Sequence, residues 1–307
     1  MIKNKLFILL HVLLILSFFS NIVSSDSPPT VYILNSDRLV EKLSLSEINF
    51  KKHFSGKLKS FDLKELEKKK KNIKKIFKPA KQDLIYCIGS RALSFVLKTY
   101  PKNRIIFSSV INWRRFDISE LSYGISGEIP VETQLTLFKL VFPSIKKIGI
   151  VYSPEYNQEW FDEALSNEKA FNLKLVGIPY KGAKPVDKIF ANLFPLVDAV
   201  WLIPDPGVIT RNTFLKIIMK SDEMKKPILT YNDAFVENGA VMSISIDSRT
   251  AGNQAAVLAE RIINGEKIKG KIQNPAGSFI TLNMKKVKEF KLKMNPEALG
   301  SINRIIE

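Results

Sequence analysis

From Val31 to Ile246 short apolar runs alternate with helix-period segments, the pattern of a parallel sheet built from βαβ units rather than of a helical bundle or a β-sandwich. Val31-Tyr-Ile-Leu34 reads as the first strand. A helix through Leu39, Leu43 and Phe50 follows, then a strand near Leu58 to Phe61 and a lysine-rich helix that places Leu63, Leu66, Ile73 and Phe77 on one face. Leu84 to Ile88 and Arg104-Ile-Ile-Phe107 add two strands and complete one doubly wound lobe.

A second series follows Ser122-Tyr-Gly-Ile-Ser-Gly127, whose two glycines suggest a turn-rich crossover. Its strands are Ile148 to Tyr152, Leu173 to Ile178, Ala199 to Ile203, Pro227 to Thr230 and Ala240 to Ile246, with helices over Thr133 to Val141, Glu159 to Phe171, Val186 to Phe194 and Phe214 to Met224. Beyond them, Ala251, Ala255, Leu258 and Ile262 share a helical face, with Asp247 or Ser248 placed to cap the start and Gly265 to end it. The small residues Gly252, Ala255, Ala256 and Ala259 predict that this helix lies close on a sheet.

The amino terminus sets the compartment. Lys3 and Lys5 precede an apolar run from Leu6 to Phe19, and Val23-Ser24-Ser25 suits cleavage before Asp26, so residues 1–25 read as a secretory signal peptide. The run is shorter than the roughly 20 residues that span a bilayer, which argues against its retention as an anchor. Cys87, the single cysteine, sits within the apolar run Asp83 to Gly89 and reads as a small buried hydrophobe, so no disulfide is expected. An exported, periplasmic or extracytoplasmic monomer follows. The net charge of +17 is mostly dispersed lysine, and its densest run, Lys68 to Lys71, falls on the solvated side of a helix. Nucleic acid is therefore not an expected partner.

In open α/β sheets ligands bind at the carboxyl ends of strands, where loops and helix starts converge. In the first lobe these exits carry Asn35 and Ser36, Gly89-Ser90-Arg91, and Ser108, Ser109 and Asn112. Ser90 opens a helix, so its amide suits a carboxylate or phosphate, or it simply caps a strand-to-helix turn. In the second lobe they carry Tyr152 to Asn157, Pro204-Asp205-Pro206, Tyr231-Asn232-Asp233 and Asp247. The two prolines hold Asp205 extended. It can accept hydrogen bonds from a ligand ammonium, or it can brace its own loop. Tyr152, Tyr156 and Tyr231 can stack on a flat ligand or belong to the core. Arg114 and Arg115 can bind an anion or be solvated, and Asp233 can serve as a helix cap.

Catalytic groups are scarce. After the leader His53 is the remaining histidine, and there is no metal-ligand cluster, G-x-S-x-G elbow, Walker loop or dinucleotide fingerprint. Carboxylate-only chemistry through Glu155, Asp205 and Asp233 is the residual enzymatic reading. Neither a cofactor nor a metal is expected.

Several fragments resemble the ABC-transporter substrate-binding proteins that include the aromatic amino-acid binding proteins of Gram-positive bacteria. They are Asp83 to Ser90, Gln134 to Pro143 running into Lys147 to Tyr152, Val197 to Asp205, Val236 to Ala240, Asp247 with Ala251 to Ala256, and Leu282 to Lys285. The resemblance implies an α/β type I periplasmic-binding-protein fold: two doubly wound, Rossmann-like lobes joined by a three-strand hinge. It places residues 26–120 and 249–277 in lobe 1, and 121–248 and 278–307 in lobe 2. It also implies a small polar ligand, such as an amino acid, delivered to an ABC permease in the inner membrane. A ligand-sensing module serving a sensor kinase or chemoreceptor is the alternative. The expected ligand-binding residues are Ser36, Ser90, Ser109, Asn112, Tyr152, Asp205, Tyr231, Asn232 and Asp247.

Overall fold

A computed structural model describes residues 29–69, 72–182 and 185–307. The leader, its expected cleavage before Asp26, and Lys70 and Lys71 lie outside the described residues. The first lobe begins with β1 (Val31–Asn35), α1 (Glu41–His53), β2 (Leu58–Asp62), α2 (Leu63–Lys68), α3 (Ile73–Ile76), β3 (Leu84–Ile88), α4 (Ser90–Thr99), β4 (Arg104–Val110) and β5 (Ser122–Ser126). All residues of β1 and β3 are buried, because helices cover both faces of a parallel sheet. The expected lysine-rich helix is two short ones. Asp62 caps α2 by accepting from Glu65 N, and Asn72 starts α3 afresh by accepting from Lys75 N. Leu63, Leu66 and Phe77 nevertheless point inward, Phe77 packing edge-on to Tyr32 and Phe61.

The segment expected as a turn-rich crossover is strand β5. Gly124 serves packing here rather than turning: a Cβ on it would fall 2.4 Å from the Phe107 ring. The chain therefore leaves the first sheet after Ser126, and the expected lobe boundary after residue 120 moves beyond β5.

The second lobe follows with α5 (Val131–Val141), β6 (Lys147–Tyr152), α6 (Pro154–Ser166), α7 (Glu168–Phe171), β7 (Lys174–Pro179), α8 (Val186–Leu193), β8 (Ala199–Trp201), α9 (Arg211–Met224), β9 (Ile228–Thr230), α10 (Asp233–Glu237) and β10 (Met242–Ile246). Trp201 anchors its core, edge-on to Phe138 at 5.1 Å and to Trp160 at 4.8 Å. The chain then returns with α11 (Ser248–Ile263) and β11 (Ile272–Gln273), and ends in β12 (Ser278–Asn283), α12 (Met284–Glu289) and β13 (Arg304–Ile306).

The first sheet runs β11-β5-β4-β3-β1-β2 and the second β13-β12-β10-β9-β8-β6-β7, with β12 antiparallel to β10. The chain thus passes between the lobes three times: after Ser126, at Asp247 and between Gln273 and Ser278. Asp247 caps α11, accepting from Arg249 N at 3.0 Å and Thr250 Oγ1 at 2.8 Å, and Gly265 follows the helix at φ +75°. The small-residue stripe of α11 meets a helix as well as the sheet. Gly252 faces α1 so closely that a Cβ would lie 2.2 Å from the Ser46 carbonyl, and Ser46 Oγ donates to Ser248 O at 3.0 Å.

Candidate functional site

Between the lobes, at the carboxyl ends of both sheets, lies a cavity of about 400 Å³. Lobe 1 contributes Ser36 after β1, the loop and first turn carrying Asp37, Val40, Lys42 and Leu43, Gly89-Ser90-Arg91 after β3, and Ser109 and Ile111 around the end of β4. Lobe 2 contributes Tyr231 and Asn232 after β9 and Ser245 and Ile246 of β10. Gly127 and Ser248 flank two of the crossings.

The floor is built by Ser36. Its Oγ donates to Ile88 O at 2.7 Å and accepts from Ala92 N at 3.0 Å, fastening the exit of β1 to the first turn of α4. Gly89, at φ +86°, makes that approach possible, since a Cβ there would sit 2.7 Å from Ser36 Oγ. Ala92 N is thus engaged, and Leu93 N closes on Gly89 O at 3.2 Å. The amides of Ser90 and Arg91 are the remaining donors of this positive helix end. Ser109 reaches the wall through a break in β4, where the register with β5 shifts between Phe107 and Val110 and Ser109 adopts φ +56°. Its Oγ lies 3.1 Å from Ser46 Oγ.

The apolar surface comes from Val40, Leu43, Ile111, Ile246 and Tyr231. Tyr231 stands edge-on to Phe235 at 5.6 Å, and burial pushes its phenol up to about 12. Around this lining the charges are partnered. Arg91 pairs with Glu67, Asp37 with Lys64 at 2.5 Å, and Lys42 with Asp233 at 2.8 Å. The hydrogen bond from Lys64 holds the Asp37 carboxyl below the usual carboxylate range. Asn232 lines the cavity while capping α10 through Ala234 N at 3.0 Å.

Five of the nine expected residues, Ser36, Ser90, Ser109, Tyr231 and Asn232, line the cavity; Asn112, Tyr152, Asp205 and Asp247 do not. Asp205 is buried and its oxygens are already used. Oδ2 accepts from Ser153 N at 2.6 Å and Asn157 Nδ2 at 2.8 Å, and Oδ1 accepts from Ser153 Oγ at 2.8 Å, Gly207 N at 2.9 Å and Val208 N at 3.1 Å. It braces the loop after β8 against the start of α6. Asn157 turns toward it by leaving helical geometry inside α6, at φ −137°. Tyr152 is a core residue, stacked on Phe161 at 4.4 Å. Asn112, left-handed at φ 48°, sends Nδ2 across to Pro204 O at 3.3 Å and so joins the lobes. Asp247 is the cap already described.

Arg114 turns to Glu128 at 3.4 Å, and both Arg114 and Arg115 border a separate cavity of about 260 Å³ that also holds Glu155 and Glu159, so the wall itself supplies counter-charge to any anion there. Asp233 binds Lys42 and accepts from Ser243 Oγ at 2.8 Å and Ser245 Oγ at 3.1 Å. Among the described residues no group of three or more His, Cys, Asp and Glu could hold a metal ion.

The model of the ABC transporter substrate binding protein family matches residues 44–304. The chain belongs to this family. A curated relative, the tyrosine-binding protein of Clostridioides difficile (strain R20291), is 25% identical over 148 residues, 47% of this chain and 42% of that protein. The alignment thus spans less than half of the relative's length. Two solved structures share the fold at low identity. One is a ligand-free, open substrate-binding protein with adhesive properties from Clostridium difficile, with TM-score 0.66 and 17% identity over 91% of this chain and 99% of that one. The other is an ABC domain in complex with L-Trp from Streptococcus pneumonia, with TM-score 0.60 and 16% identity over 90% and 100%. This substrate-binding protein has the two-lobed type I periplasmic-binding fold. No helix among its described residues is long and apolar enough to cross a membrane.

Proposed function

We propose that this protein captures an aromatic amino acid between its lobes and presents it to an ABC permease. The observation that carries the reading is the union, in one inter-lobe cavity, of the α4 amino terminus with an apolar wall that includes Tyr231. The Ser90 and Arg91 amides take the carboxylate, as a helix start does without an added cation. Tyr231, Ile111 and Ile246 cover the ring. The volume of about 400 Å³ suits a ligand of this size. Asp37, although paired with Lys64, is the carboxylate on the wall, whereas Asp205 does not line the cavity, so the ammonium belongs beside Asp37. A tyrosine-binding relative and a structural neighbour holding L-Trp support the ligand class. In this reading residues 1–25 are a cleaved leader, the mature chain acts as a monomer, and no bond of the ligand is broken.

Titration calorimetry with L-tyrosine, L-tryptophan and tyramine tests the reading. The two amino acids should bind, tyramine should lose most of the affinity with its carboxylate, and Tyr231→Ala should weaken binding by about tenfold through lost ring contact. Absence of heat with any amino acid, together with a ligand of another class recovered from the purified protein by mass spectrometry, would overturn it.

A further inference from the structure

Lys42 lines the cavity from lobe 1, yet its ammonium is bound to lobe 2. Nζ lies 2.8 Å from Asp233 Oδ2 and donates to Ser245 Oγ at 2.8 Å. Apart from Arg114 with Glu128 beside the first crossing, the other recorded ion pairs among the described residues stay within one lobe. Among the described residues Asn112 Nδ2 also donates across to Pro204 O, an uncharged link. Lys42 with Asp233 is thus the charged tie across the cleft.

The two partners are unequally exposed. The Asp233 side chain is 10% exposed and that of Lys42 37%. Ser243 and Ser245 both donate to Asp233 Oδ1, leaving Oδ2 to the lysine. If the lobes part, Asp233 keeps its two hydroxyl donors and Lys42, on the exposed side, moves into water. A fully buried pair would resist separation because each charge would be stranded; this one breaks without leaving a bare buried charge. Ser245 lines the cavity and donates to Asp233, so the tie and the ligand wall share a residue.

We propose that Lys42 is a positioning residue for ligand binding: its pair with Asp233 latches the lobes over the cavity, and ligand affinity is coupled to that closure. The proposal rests on the binding function above and concerns closure rather than ligand identity. Any ligand that fills the cavity while the latch is made is retained longer, because the latch adds a coupling free energy between the lobes.

The test uses the mature full-length chain and the variants Lys42→Met, Lys42→Arg, Asp233→Asn and the Lys42→Met/Asp233→Asn double. Ligand-free small-angle scattering should show a larger radius of gyration for Lys42→Met and Asp233→Asn than for wild type, with Lys42→Arg compact. Affinity for L-tyrosine or L-tryptophan should fall by about tenfold in each neutralised variant, and the double should fall no further. Raising NaCl should weaken wild-type binding and leave the neutralised variants nearly flat. A Lys42→Met chain that scatters as wild type overturns the latch. So does weakened binding in Lys42→Met with none in Asp233→Asn, which would put the ammonium on the ligand itself. If neither amino acid binds, the proposed ligand class fails, and the ligand-free scattering still decides the latch.

Discussion

Replacing Asp205 by alanine separates a brace from a ligand contact. Five donors converge on its carboxylate, and the Ser153 amide, Ser153 hydroxyl and Asn157 amide among them are buried. A hydrogen bond to a charged group contributes about 1.5–3 kcal/mol, and an orphaned buried donor costs about 1–3 kcal/mol. Water entering the space left by the carboxylate re-satisfies the amide of the exposed Gly207, which limits the net loss to about 3–5 kcal/mol. In a chain of this size each kcal/mol moves the melting temperature by about 2–4 °C, so Asp205→Ala should melt about 10 °C lower. Its affinity for L-tyrosine or L-tryptophan should stay within about twofold of wild type, because Asp205 does not line the cavity. Differential scanning fluorimetry and titration calorimetry on the same preparation read both quantities. A melting temperature near wild type with affinity reduced more than about tenfold would refute the bracing role and return Asp205 to the ligand ammonium.

Gly252→Ala should destabilise by about 1–2 kcal/mol despite the better helix propensity of alanine, because its Cβ would meet the Ser46 carbonyl at 2.2 Å; a raised melting temperature would contradict this close approach. Burial pushes the Glu47 carboxyl up, but hydrogen bonds from Arg38, Lys51, Ser60 and Asn35 outweigh it and lower the value from 4.5 to about 2. Its folded value thus lies below its unfolded one, so its contribution is fully present above about pH 4.5 and is lost as pH falls toward about 2. Melting curves across that window should show a smaller acid-induced decline for Glu47→Gln than for wild type, and parallel declines would refute the assignment.

The strands were legible because burial on both faces leaves a continuous apolar run: Leu84 to Ile88 is observed as expected, and the second series recurs at its predicted places. Elements whose order comes from neighbours were not. β11 is two residues long and exists by pairing with β5, and β5 reads as a turn because Gly124 must accept the Phe107 ring. At the site, strand-exit reasoning located Ser36, Ser90, Ser109, Tyr231 and Asn232, yet it cannot tell a free side chain from one already spent. Asp205 was spent on Ser153 and Asn157, which lie 52 and 48 residues away in sequence. Val40, Lys42, Leu43, Ile111, Ser245 and Ile246 were missed. Leu43 did stand out as a helix-face residue, but nothing local marks one that faces a cleft rather than a core.

The three passages between the lobes also set an order of assembly. Lobe 1 lacks β11 at one edge and α11 over α1 until residue 273 has emerged, and the second sheet lacks β12 and β13 until residue 306. Chain growth from the amino terminus therefore completes neither lobe before nearly all of the sequence exists. Before then, the α1 surface that accommodates Gly252 stays bare and the β10 edge stays unpaired. The last sixty or so residues, from Ser248 onward, therefore finish both halves in turn, the first lobe with α11 and β11 and the second sheet with β12 and β13.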